Sequence, residues 1–165
     1  MGIWIRAYLD DEPMPHDRLQ CDGRSLADYY LAAMADGMDA QSLFGSIVQA
    51  HTGQAQDQVI HHDFRQKQTP ADGTPRTELI RLLQGLTGFI QEPDENDKEV
   101  GDLASFTQAV GGVRAAILAY RGPLQDIVGR DVTHHREGAV ADCDDLLMAV
   151  RLCRDDGKRL RVLIC

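Results

Sequence analysis

Aromatic side chains are scarce, 5% of 165 residues, so no stacking platform for bases or sugars is expected. Basic residues are in deficit as well: 17 Lys and Arg stand against 26 Asp and Glu, a formal charge of -9. Neutralising phosphates takes a basic face, so nucleic acid is not an expected partner. No run reaches the ~18 uninterrupted apolar residues of a membrane span. The opening Met1-Gly2-Ile3-Trp4-Ile5-Arg6 has no basic stretch leading into an apolar one, and Arg6 stands where a myristoylation motif wants Ser or Thr. A cytoplasmic protein without membrane contact is therefore expected. Four cysteines, Cys21, Cys143, Cys153 and Cys165, are irregularly spaced with no Cys-x-x-Cys, which argues against a zinc ribbon or a thioredoxin-type pair. Free thiols are the expectation in that compartment.

Catalytic templates are missing too. There is no Gly-x-Ser-x-Gly elbow, no Gly-x-x-x-x-Gly-Lys phosphate cradle and no Gly-x-Gly-x-x-Gly after a strand. Neither a catalytic residue nor a cofactor is assigned from the sequence.

What is present describes one domain over residues 1–165. At this length folding buries about 70% of the unfolded surface, and the 43% apolar content supplies a core without staples. Ile3, Ile5, Ala7 and Leu9 alternate with Trp4, Arg6 and Tyr8, the period of a strand with one face on a core. Leu160, Val162 and Ile164 repeat that pattern after the Asp155-Asp156-Gly157-Lys158 turn. An isolated strand leaves backbone groups unsatisfied, so these two are expected to pair within a small sheet.

Between them the spacing is helical. Leu26, Tyr29, Tyr30 and Ala33 follow a cap within Asp22–Ser25; Leu43, Phe44, Ile47 and Val48 mark a second, short helix. Thr74 with Pro75 starts a third, whose stripe Leu79, Leu82, Leu83, Leu86 and Ile90 runs toward Pro93. Asp102 caps a fourth, through Leu103, Phe106, Val110, Val113, Ile117 and Tyr120, broken at Gly122-Pro123. The fifth runs from about Val140 to Leu152 with Cys143 and Cys153 inward as small buried hydrophobes. The class is α+β: about five helices with a small sheet that includes the N- and C-terminal strands. Segments 54–73 and 91–101 read as loops, the first carrying Val59, Ile60 and Phe64 as a possible strand or anchor.

Two constellations carry potential chemistry. The doublets His61-His62-Asp63 and His134-His135-Arg136-Glu137 hold metal-competent groups, so a metal site using His61, His62, Asp63, His134, His135 and Glu137 is the alternative reading. Adjacent residues point in different directions, and no His-x-x-x-His spacing is present, so loop histidines are the simpler account. Glu92, Asp94, Glu95, Asp97, Glu99 and Asp102 form an acidic run interrupted only by Lys98. It fails as a calcium loop, because Lys98 and Glu99 stand where a ligand and Gly are required. It reads instead as a docking surface for a basic partner, with Asp10, Asp11 and Glu12 as a second patch. The charge is uneven: residues 1–105 carry 8 basic and 18 acidic side chains, residues 106–165 carry 9 and 8.

An acidic chain that opens on Met1-Gly2-Ile3-Trp4-Ile5-Arg6, runs through helices and closes on Leu160-Arg161-Val162-Leu163-Ile164-Cys165 resembles the bacterial immunity proteins that neutralise polymorphic toxins. The resemblance covers the layout of the chain and rests on no diagnostic motif. It implies function by occlusion: binding a cognate toxin domain and blocking its active site, with acidic side chains standing in for a nucleic-acid or phosphate substrate. On that reading the partner is a toxin with a basic surface, met by the Glu92–Asp102 segment and the Asp10–Glu12 turn.

Overall fold

Alternation at the start of the chain becomes strand β1, Ile5–Leu9, in which Ile5, Ala7 and Leu9 are buried while Arg6 and Tyr8 are half-exposed. In the computed structural model, which describes residues 2–36, 74–92, 98–126 and 128–165, β1 pairs antiparallel with β4, Leu160–Ile164. The register sets Ile5 opposite Ile164, Ala7 opposite Val162 and Leu9 opposite Leu160. Two-residue strands flank this pair: β2, Glu12–Pro13, returns antiparallel to β1, and β3, Ile90–Gln91, runs parallel to β4. The order is β2-β1-β4-β3, so the first and last strands are paired at the centre, as the two matching patterns predict.

Four α-helices lie among the described residues: α1 (Arg24–Asp36), α2 (Pro75–Gly85), α3 (Leu103–Ala119) and α4 (Arg136–Asp156). The expected helix at Leu43–Val48 lies outside the described residues, as do Val59, Ile60 and Phe64. Start signals for α2 and α3 are those the sequence offers. The Thr74 hydroxyl accepts from the Thr77 N–H with Pro75 in the first turn, and the Asp102 carboxylate accepts from Ala104 and Ser105 N–H.

Two boundaries differ from the sequence reading. Helix α2 stops at Gly85 and a 3-10 turn follows at Leu86–Gly88, so Ile90 belongs to β3 rather than to a helical stripe. Pairing with β4 satisfies backbone groups that a longer helix would have satisfied internally. Helix α4 extends about a turn beyond Val140–Leu152 at each end, closing at Gly157 in the left-handed conformation (φ 66°).

The core lies between the sheet and the helices. Helix α4 packs on α3, α1 and β1, and α2 packs on α1 and α3. Phe106, Val110, Val113, Ile117, Leu26, Leu79 and Leu83 are fully buried between them, and Cys143 and Cys153 are buried as expected. On the opposite face of the sheet, the Arg161 guanidinium lies 5.8 Å from the Tyr8 ring, and Arg6 lies 5.0 Å from that of Trp4.

Candidate functional site

Helix α4 buries two carboxylates. Asp142 and Asp145, three residues apart and so on one face, are 3% and 6% exposed. Each grips the segment leading into α1. Asp142 Oδ1 accepts from Gly23 N–H and Oδ2 from Leu26 N–H, both at 2.9 Å. Asp145 accepts from Gln20 N–H at 2.9 Å and Cys21 N–H at 3.0 Å. Leu26 is in the first turn of α1, so Asp142 adds a cap from another helix to the local one expected within Asp22–Ser25, in which the Asp22 carboxylate accepts from Arg24 N–H at 3.0 Å. Gly23 makes this possible. Its φ is +87°, its carbonyl accepts from Ile5 N–H at 3.0 Å, and a Cβ there would sit 2.1 Å from the Ile5 carbonyl oxygen.

A cleft of 350 Å³ lies against this clasp. Its apolar walls include Ile5, Ala7, Met14, Leu19 and Leu146, and its polar lining includes His16, Cys21, Asp22, Asp142 and Asp145. Burial pushes the Asp142 carboxyl up to about 6, against the pull of its two backbone hydrogen bonds. The Cys21 thiol is also raised, first by burial and then by Asp142 and Asp145, which is the reverse of what a nucleophilic cysteine requires.

A wider groove of 610 Å³ lies between the first turns of α1 and the approach to α4, lined by Gly2, Arg24, Asp28, Asp126, Arg130, Asp131, His134 and His135 among others. Its charges are largely matched. Asp126 binds Arg130 at 3.0 Å. Asp131 accepts from the Thr133 hydroxyl and N–H, which hold its carboxyl below the usual range. The His134 and His135 ring centroids are 3.9 Å apart with the planes tilted at 43° in the 3-10 turn before α4, and His135 Nε2 is 3.9 Å from Asp28 Oδ2. Burial raises the Asp28 carboxyl, with His135 opposing. Of the metal alternative, His61, His62 and Asp63 lie outside the described residues. His134, His135 and Glu137 belong to no group of three or more His, Cys, Asp or Glu able to hold a metal among the described residues.

The acidic candidates fall in two segments beside the sheet. Asp10, at φ 55°, turns β1 into β2, and its carboxylate accepts from Arg159 N–H at 2.9 Å. Asp11 is 3.7 Å from Arg161, while Glu12 is exposed. Glu92 leaves β3 beside the Ile164 end of β4, but the segment returns to the Leu160 end, where Val100 N–H donates to the Leu160 carbonyl at 2.7 Å, the end that the Asp10–Glu12 turn also abuts. Asp94, Glu95 and Asp97 lie outside the described residues; Glu99 is exposed, and Asp102 is taken up as the cap of α3. Gln91, 6% exposed, closes the base of this segment, its amide donating to the Lys98 carbonyl at 2.8 Å and accepting from Lys98 N–H at 3.1 Å.

Sequence reasoning missed Asp142 and Asp145. The signal was present: Ala139, Asp142, Leu146, Ala149 and Cys153 recur at three- and four-residue spacing, and a carboxylate in such a stripe must find partners inside. No protein-family model, curated protein or solved structure matches this chain.

Proposed function

We propose that this chain is a non-catalytic binding protein of the immunity kind, which acts in the cytoplasm by covering the active site of a toxin domain with a basic surface. The observation that carries the reading is the Gln91 clamp. A buried amide in the edge strand ties Gln91 to Lys98, and the six residues between them include Glu92, Asp94, Glu95 and Asp97, with Glu99 just beyond. Like charges held on a fixed base favour steered association with a basic partner, because less ordering remains to be done at contact. The Asp10–Glu12 turn adds a second acidic segment, in which Asp10 and Asp11 lie within 4 Å of Arg159 and Arg161 and Glu12 is exposed.

Native mass spectrometry of untagged protein purified from its own source tests this. A stoichiometric complex with one basic polypeptide is expected, with association slowed about tenfold by moderate salt and by the double variant E92K/E99K. A bare chain, or a complex indifferent to both salt and charge reversal, overturns the reading. A bare chain carrying one transition-metal ion would favour the histidine alternative.

A further inference from the structure

Helices α1 and α4 approach each other closely near their starts. A Cβ at Gly138 would collide with the Ser25 side chain, and one turn further along α1 His135 Nε2 lies 3.9 Å from Asp28 Oδ2. Tyr29 and Arg136 are the residues that follow Asp28 and His135, so this approach brings the two positions to one junction. Charge is felt across it: burial pushes the Tyr29 phenol up, the Arg136 guanidinium opposes that push, and Asp131 adds to it.

Both side chains carry a buried polar atom that nothing around it satisfies. Tyr29 is 1% exposed, and among the described residues its hydroxyl has no hydrogen-bond partner. The same holds for Arg136 Nε, and these are the two such side-chain atoms among the described residues. Arg136 is not free to turn toward the phenol. Its Nη2 donates to the Tyr120 carbonyl at 2.9 Å, which ties the start of α4 to the end of α3. A hydroxyl or N–H removed from water without a partner is destabilising, and buried polar groups in folded proteins are overwhelmingly met by another protein group or by ordered water.

We propose that this junction is a binding site for one internal water molecule, which accepts from Arg136 Nε–H and shares a second hydrogen bond with the Tyr29 hydroxyl. Nε can only donate and a phenol can donate or accept, so a neutral molecule with both capacities serves the two at once. Two to four polar partners are what a buried water takes, and the pair meets that requirement. Charged occupants fit less well: the guanidinium repels a cation, and Asp131, held in place by Leu124 and Thr133, sets a negative charge against an anion. The bound water would join α1 to the corner between α3 and α4. This site stands apart from the toxin reading and is tested on the chain alone.

The experiment is a crystal structure of the full chain at a resolution that orders internal water, repeated after a bromide soak, together with the chemical-denaturation midpoint of Tyr29→Phe. Expected are a water within hydrogen-bond distance of both Tyr29 Oη and Arg136 Nε, no bromide at that position, and a midpoint for Y29F below that of the native chain, because the hydroxyl it removes has a partner. A hydroxyl without one is better removed, so a midpoint equal to or above the native value overturns the proposal. Bromide in place of the water overturns it in favour of an anion site. A direct bond between phenol and guanidinium, a protein group bonded to either atom, or the lack of any density between them overturns it outright. Should Y29F fail to fold, the native crystals decide alone.

Discussion

Asp102 and Asp142 perform the same task in two different places. Each accepts two backbone N–H groups at the start of a helix, Asp102 from Ala104 and Ser105 at α3, Asp142 from Gly23 and Leu26 at α1. Their acidities move in opposite directions. The Ser105 hydroxyl and the backbone donors hold the solvent-exposed Asp102 below the ordinary carboxylate range, whereas burial carries Asp142, which has backbone donors alone, up to about 6. Hydrogen bonds alone do not set the charge state of a carboxylate; the water it has lost decides the sign. Asp131, exposed and bound by the Thr133 hydroxyl and N–H, moves the same way as Asp102.

The most severe break in this comparison is Asp142→Ala. It leaves two N–H groups without acceptors in the interior, and a loss of roughly 3–5 kcal/mol is expected in chemical denaturation. Asp102→Ala, whose donors can turn to water, should cost clearly less; equal losses would show that burial is not what distinguishes them. Next is Gly23→Ala. With φ at +87° and the Ile5 carbonyl in the way, roughly 2–4 kcal/mol should be lost, and hydrogen exchange should quicken at Gln20–Leu26 before the rest of the chain. A variant that kept native exchange there would mean that the segment can be held without this close approach.

The smallest effect is the pH profile, which sharpens the comparison. The folded-state value of Asp142 lies above its unfolded one, so its stabilising contribution is fully present below the ordinary aspartate range and is lost as pH rises through about 6. Asp102 and Asp131 act in reverse: their contribution is present above that range and is lost as pH falls through their lowered values. Denaturant midpoints of the native chain and Asp142→Asn should diverge in favour of the native chain as pH falls from about 7 to 5. Midpoints that stay parallel would remove Asp142 from the titration.

Local rules made much of the fold legible. The two-residue period at Ile5–Leu9 and Leu160–Ile164 was enough to predict the central pair, because each strand has one face that only a core can cover. The Thr74-Pro75 and Asp102 starts were equally plain, since capping depends on neighbours within four residues. Ile90 was misplaced because its apolar spacing suits a helix as well as a strand, and pairing with β4 is non-local. The same applies to the cleft. Asp142 and Asp145 looked like ordinary acidic residues of an amphipathic helix until their partners, more than a hundred residues earlier in sequence, came into view. The Gln91 clamp was hidden for a further reason: nothing in a glutamine's neighbours announces that its amide will pair with a backbone seven residues on.

The central pairing of β1 with β4 has a consequence for the order of events in synthesis. Ile5 and Ile164 are partners 159 residues apart, a separation that slows folding because the loop between them must close first. The start of α1 has the same dependence, since its acceptors belong to α4. On the ribosome, β1 and the entry to α1 emerge early and wait for both. Their exposed strand edge and bare N–H groups are then what a chaperone would meet until β4, made much later than β1, completes it.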